Sequence, residues 1–134
     1  MTDKTIFVEQ HSCGHVLSAR AHFAGEDLCV LVTGGSKPHV GSVSLGIARK
    51  SLKNDGSNSA TVSTLNVTGH KDDVLGNMFA ERLAAILNKT VCVVCGVHFA
   101  NATPEELEQI LHDARVLLEK LEAEIVEGNP PPGA

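Results

Sequence analysis

Apolar and polar residues alternate with a period of two through much of the first half of the chain, the pattern of β-strands that bury one face. The clearest case is residues 15–24, where Leu17, Ala19 and Ala21 fall on one face and Arg20 falls on the other. Alternation also predicts the strand at 43–47. Further strands are predicted at 4–10, at the apolar run 28–32 and at 61–68, which is rich in β-branched residues.

Two runs, 28–32 and 91–97, are apolar at almost every position. A strand with one solvated face alternates, whereas a strand covered on both faces is continuously apolar. We therefore expect both runs to be central strands with apolar contacts on each side.

The period changes to that of a helix at residues 71–88 and again at 104–127. Asp72 and Asp73 favour a helix start there, and Thr103 with Glu106 forms the pattern of a capping box. The predicted buried stripes are Leu75, Met78, Phe79, Arg82, Leu83 and Ile86 on the first helix, and Leu107, Ile110, Leu111, Ala114, Leu118, Leu121 and Ile125 on the second.

Five strands, a helix, a strand and a helix predict an α+β fold, with a mostly antiparallel sheet and two helices packed on one face. The 134 residues suit a single domain, which we assign to residues 1–128. Residues 129–134 contain three prolines and are expected to be a disordered tail, and the polar segment 50–60 to be a surface loop.

The composition excludes some classes of function. A formal charge of −5 without a basic cluster argues against nucleic-acid binding. No signal-peptide pattern and no run of about 20 apolar residues is present, so a cytoplasmic protein without a membrane span is expected. Cys92 and Cys95 have the spacing of a metal or redox motif, but residues three apart on a strand face opposite sides, which favours a core role.

Three histidines follow strands that should run in the same direction. If strand 28–34 runs up, the next strand runs down and 61–68 runs up again, and a strand–helix–strand crossover makes 91–97 parallel to it. His39, His70 and His98 would then share one edge of the sheet, where sites in α/β sheets usually form. Imidazoles that meet there can bind a divalent transition metal, although three separate loop histidines with local hydrogen bonds remain the alternative.

The same edge carries the segment Thr33, Gly34, Gly35, Ser36 and Lys37. Glycines allow backbone N–H groups to turn outward into an anion-binding nest, and Lys37 adds positive charge. The segment predicts a phosphate site, with an ordinary turn as the alternative. No nucleophile motif or committed acid–base pair accompanies it, so we expect a binding protein that is not an enzyme.

The segments 32–41, 69–72 with 81–84, and 96–98 resemble, in the same order, segments of the LpdD-like family. That family comprises small accessory subunits of gallate-type decarboxylases that depend on prenylated FMN. The likeness extends from about Leu28 to about Leu118 and is weak across 50–66.

The resemblance implies a chaperone that binds prenylated FMN for a partner UbiD-type decarboxylase. The phosphate would bind at 33–37 and the metal at His39, His70 and His98. Because one helical layer leaves a sheet face or edge open, a homodimer is also expected. A metal-dependent hydrolase or isomerase and a structural subunit without a ligand are the alternatives.

Overall fold

A six-stranded sheet with two helices on one of its faces forms the architecture of the computed structural model, which describes residues 4–67 and 72–128. This is the α+β fold that the hydrophobic pattern predicts. The elements are β1 (Thr5–Ser12), β2 (His15–Ala24), β3 (Asp27–Gly35), β4 (Ser42–Lys50), β5 (Asn58–Asn66), α1 (Asp73–Leu87), β6 (Thr90–His98) and α2 (Pro104–Gly128). The predicted tail, 129–134, lies outside the described residues.

The order of strands across the sheet is β1-β2-β3-β6-β4-β5. β6 is parallel to β3 and antiparallel to β4, and the remaining neighbours are antiparallel. The directions predicted for β3, β4, β5 and β6 are therefore confirmed. β6 lies between β3 and β4, so the loop 36–41 that joins those two strands must cross the carboxyl end of β6.

The core lies between the sheet and the helices. α1 packs on β4, β5 and β6, whereas α2 packs on β1 and β2. The capping box that begins α2 is present, because the Thr103 hydroxyl accepts from the Glu106 N–H and the Glu106 carboxylate accepts from the Thr103 N–H. The largest fully buried apolar side chains are Phe79, Leu17, Leu28, Leu83, Leu117, Leu121, Ile125, Val32, Val91 and Val93.

The predicted helical stripes are partly wrong. Ile86 and Arg82 of α1 are exposed, and Gly76, Ala80 and Ala84 are buried in addition to Phe79 and Leu83. On α2, Leu107 is exposed and Leu117 is buried. The face of α1 that meets the sheet is centred on small residues, which hydrophobicity alone does not identify.

α1 approaches β4 closely because both surfaces are small. A Cβ added at Gly46 would lie 2.5 Å from the Ala80 carbonyl oxygen, and one added at Gly76 would lie 3.0 Å from the hydroxyls of Ser42 and Ser44. The two serines are buried under the helix. Small polar residues of β4 therefore face the helical layer.

The apolar residues of β4 consequently point to the other face of the sheet, where Leu45 and Ile47 are exposed. Cys29 and Leu31 of β3 are exposed on the same face. The prediction that strands 28–32 and 91–97 are covered on both faces is wrong for the single chain, because both helices pack on one side. We call this uncovered side the open face.

Within residues 4–67 and 72–128, neither helix is long and apolar enough to cross a membrane.

Replacement of Gly46 by Ala should destabilise the protein by about 1–3 kcal/mol, since the new methyl group must displace the backbone of α1. Urea denaturation followed by circular dichroism measures the loss. Gly25→Asn is the matched control, because a side chain at this turn meets open space and Asn tolerates its positive φ of 63°. Equal stability of the Gly46→Ala and native proteins would contradict the close approach.

Candidate functional site

The loop 36–41 is bound to the end of β6 by three hydrogen bonds. The Ser36 N–H donates to the His98 carbonyl at 2.8 Å, and the Ser36 hydroxyl donates to the same oxygen at 3.2 Å. At the other end of the loop, the Gly41 N–H donates to the Cys95 carbonyl at 2.8 Å. These bonds bring His39 and His98 to one edge of the sheet.

Gly96 permits this crossing. The His39 backbone lies directly on it, so that an added Cβ would be 1.5 Å from the His39 carbonyl oxygen. Gly41 is similarly confined, with an added Cβ 1.8 Å from an Asp72 carboxylate oxygen. The glycines of this region are therefore positions where two backbone segments, or a backbone and a carboxylate, approach without room for a side chain.

The Gly34–Gly35 pair has a packing role as well. An added Cβ would lie 2.4 Å from the Val16 carbonyl oxygen at Gly34 and 2.0 Å from the His98 carbonyl oxygen at Gly35, where φ is 83°. The Ser36 N–H and hydroxyl, which the sequence argument included among the phosphate donors, are bonded to His98. The exposed donor that this segment directs outward is the Lys37 ammonium.

A buried carboxylate, Asp72, connects the loop, α1 and β6. Its Oδ2 lies 2.9 Å from Nε2 of His39, and its Oδ1 accepts from the Val97 N–H at 2.7 Å. The residue is 5% exposed and lies at the N-terminus of α1, where the helix dipole favours negative charge. Asp72 therefore determines where the His39 ring lies.

Both ring nitrogens of His39 face oxygen acceptors. Nδ1 lies 2.9 Å from the Lys37 carbonyl oxygen, and Nε2 faces the Asp72 carboxylate. A neutral imidazole can donate from one nitrogen alone, whereas the imidazolium donates from both. In either form the ring donates to at least one of these oxygens, and it links the loop to the start of α1.

An open pocket of about 240 Å³ lies beside this pair and is lined by Lys37, His39, Val40 and His98. Lys37 and His98 are exposed, and their side chains make no hydrogen bond within residues 4–67 and 72–128. Because the His39 ring is bonded to Asp72 and faces the Lys37 carbonyl, the donors available to a ligand are those of Lys37 and His98. The pocket can therefore bind an anionic group through an ammonium and an imidazole.

The predicted metal site is only partly described. His39 and His98 line one pocket, while His70 lies outside the described residues. In the part of the chain that the structure describes, no three His, Cys, Asp or Glu side chains are arranged to hold a metal ion. Coordination by His39 through Nε2 would displace Asp72, whereas coordination through Nδ1 would displace the Lys37 carbonyl and keep the bond to Asp72.

Two further histidines lie at the same edge. β1 ends and β2 begins there, which places His11 and His15 on the side where β3 and β6 end. The His15 ring packs edge to face on Phe99, with the ring centroids 5.5 Å apart.

Asp72 is the site residue that the sequence argument missed. It was interpreted as a helix-start acid, which it is, but its carboxylate also binds His39 and β6. The sequence feature that could have identified it is its position, one residue before a helix that begins at the sheet edge where His39 and His98 lie.

The cysteine spacing does not form a site. Cys95 is buried beneath α1, and burial, with a smaller contribution from Asp72, raises the pKa of its thiol to about 12. Cys92 lies on the open face, where burial and then the neighbouring Cys29 raise its pKa. The two side chains face opposite sides of β6, as the strand geometry predicts.

Comparison with known proteins identifies a family and a similar fold. Residues 11–126 match the prenylated flavin chaperone LpdD-like domain. The fold resembles a chain in a crystal structure of a novel chaperone complex for yeast 20S proteasome assembly, with a TM-score of 0.58 and 16% identity over 95% of this chain and 98% of that one. At that identity the likeness shows the fold alone. No curated protein matches the chain.

The family match includes the loop 36–41, Asp72 and both strands that carry the pocket. It also agrees with the expectation of a protein that is not an enzyme, since the family is one of chaperones. The resemblance noted in the sequence is thereby confirmed: the chain belongs to the prenylated flavin chaperone LpdD-like family.

Proposed function

We propose that this chaperone binds the phosphate of prenylated FMN in the pocket formed by Lys37, His39 and His98, and delivers the flavin to a UbiD-type decarboxylase. The observation that carries the proposal is the placement of an exposed ammonium and an exposed imidazole beside a His–Asp pair, in a family of prenylated flavin chaperones. A homodimer is part of the proposal.

The pocket suits one end of the ligand rather than all of it. Sites that enclose a drug-sized ligand measure roughly 300–1,000 Å³, and this pocket is smaller and open. The phosphate would enter it, while the ring system extends along the edge toward His15 and Phe99. An open site also favours release, consistent with an affinity of order micromolar, or about 8 kcal/mol.

The segment 33–37 contributes mainly through Lys37 in this arrangement. Thr33 and Ser36 are bonded within the protein, and Gly34 and Gly35 hold the loop against β2 and β6. The glycines therefore support the phosphate site by placing Lys37, and any backbone donors they offer act in addition.

A metal ion on His39, His70 and His98 is a second way to hold the phosphate, because a cation bridges imidazole nitrogens and phosphate oxygens. Imidazole suits zinc, iron, nickel and copper, so the donor set does not choose among them. This arrangement requires one ring nitrogen of His39 to leave its partner, either Asp72 or the Lys37 carbonyl, whereas direct binding by Lys37 and His98 leaves the described contacts intact.

Loss of either exposed donor should weaken flavin binding. Lys37→Ala and His98→Ala are each expected to lower affinity for prenylated FMN about tenfold or more, about 1.4 kcal/mol. Titration with the product of a prenylated-FMN synthase, followed by flavin absorbance, measures this without interference because the chain has no Trp or Tyr. Lys53→Ala, an exposed lysine in the loop after β4, is the control. Unchanged affinity in both site variants would contradict the proposed pocket.

The metal arrangement makes a separate prediction. If a metal bridges the three histidines, His70→Ala and treatment with a chelator should each remove metal and flavin together, as observed by native mass spectrometry. The fold should survive both treatments, and circular dichroism checks that the secondary structure is retained. Full flavin binding after chelation would exclude the bridge and leave Lys37 and His98 as the phosphate ligands.

Asp72→Asn tests the framework of the site. Asparagine preserves an acceptor for the Val97 N–H but removes the charge that faces His39, so a loss of about 1–3 kcal/mol in stability is expected. Urea denaturation measures it. Asp73→Asn, the next residue in the first turn of α1, is the matched control. Equal effects of the two substitutions would show that helix-start charge alone matters.

A further inference from the structure

The open face carries a continuous apolar patch. The sheet register aligns Leu31 of β3 with Val94 of β6, Val43 of β4 and Leu65 of β5 in one row. A second row contains Cys29, Cys92 and Leu45, and Ile47 extends the patch on β4. Exposed fractions of 37% for Leu31, 40% for Leu45 and 49% for Ile47 leave much of this surface in contact with water.

The patch has the arrangement of an interface. Most of its large apolar residues occupy β3, β6 and β4, and Leu65 extends it onto the edge strand β5. Polar residues flank it, with Arg20 and His22 of β2 on one side and Thr61 and Ser63 of β5 on the other. Contiguous apolar surface inside a polar rim marks a protein contact surface.

The composition of β4 strengthens this conclusion. Ser42, Ser44 and Gly46 face the helices, whereas Val43, Leu45 and Ile47 face outward. Exposing the apolar half of a strand while burying its polar half is unfavourable in an isolated chain. It becomes favourable when a second layer covers the open face.

The charge distribution favours another copy of this chain as the occupant. α2 carries eight of the 16 acidic residues and two of the 11 basic ones, a formal charge of −6 within a chain of −5. On the open face, by contrast, Glu9 and Asp27 are balanced by Arg20 and Arg49. Two copies that meet through this face avoid the repulsion that their net charge would otherwise impose.

The separation of the charges supports the same arrangement. Packed sheets lie about 10 Å apart, and each α2 would lie on the outer side of its own sheet. The two acidic helices would therefore be farther apart than the Debye length, about 8 Å at physiological salt. The dimer would have its two sheets inside and its helices outside.

The size of the face is sufficient. Six strands at about 4.8 Å spacing, with eight to ten residues each at about 3.3 Å, give a face of roughly 28 Å by 28 Å. This approaches the roughly 800 Å² per partner that a stable interface buries.

We infer that two copies of this chain associate through their open faces, sheet against sheet, with Leu31, Leu45 and Ile47 at the centre of the contact. This rests on the homodimer of the proposed function and assigns its surface. The ligand pocket lies at the sheet edge, so the contact leaves the exposed side chains of Lys37 and His98 accessible.

Sedimentation velocity between about 1 and 100 µM tests the assignment. The native protein should sediment with about twice the 14.1 kDa chain mass, and Ile47→Glu and Leu45→Glu should each shift it to the mass of a single chain. Leu52→Glu is the control, because this leucine is 89% exposed in the loop after β4 and lies off the sheet. It should remain dimeric. Circular dichroism checks that each variant is folded.

Labelling of Cys29 by a maleimide provides a test that needs no substitution. The thiol is exposed in the single chain and covered in the dimer, so the native protein should label at least tenfold more slowly than the Ile47→Glu protein. A native protein of single-chain mass with a freely reactive Cys29 would overturn the inference. So would a dimer that survives both glutamate substitutions, or a single chain whose Cys29 is protected only by the decarboxylase.

Flavin titration of the same proteins separates the two proposals. Lys37→Ala should retain the dimer mass while it loses affinity. If Ile47→Glu loses the dimer but still binds flavin, the proposed phosphate pocket is supported and the two surfaces are distinct.

Discussion

The crossing of the loop 36–41 over the end of β6 is the constraint on which the site depends. β6 enters the sheet between β3 and β4, so the connection between those strands has to pass over it. Gly96 removes the side chain that would block the passage, and the carbonyls of His98 and Cys95 bind the two ends of the loop. The ligand pocket is a consequence of this topology, since the crossing brings residues 37–40 against His98.

Asp72 fixes the position of the crossing loop relative to β6 and α1. It binds a main-chain N–H of β6 with one carboxylate oxygen and the His39 ring with the other. Because it is buried at the start of α1, moving it would separate its carboxylate from both the helix terminus and the His39 ring. The region that presents Lys37 and His98 is therefore connected to α1, while those two side chains stay exposed.

The packing of α1 on β4 determines what the opposite face of the sheet contains. A helix that approaches closely through Gly76 and Ala80 leaves room beneath it only for small residues such as serine and glycine. The large apolar residues of β4 therefore lie on the other side of the sheet. The fold thus separates its two surfaces. The edge carries the exposed nitrogen donors of the proposed phosphate site, and the open face carries the apolar side chains of the proposed sheet contact.

The sequence by itself determined the element types, the strand directions and the meeting of His39 with His98 at one edge, because these follow from periodicity, short connections and the crossover rule. It also predicted the capping box at Thr103 and the opposite orientation of Cys92 and Cys95. Tertiary structure decided the order of strands, the packing roles of Gly34 and Gly35, and the capture of His39 by Asp72. These features depend on contacts between segments that are far apart in the chain, and the hydrophobic pattern of a sequence does not describe such contacts. The same limit explains β4, whose alternating pattern shows that one face differs from the other but not which face the helix covers.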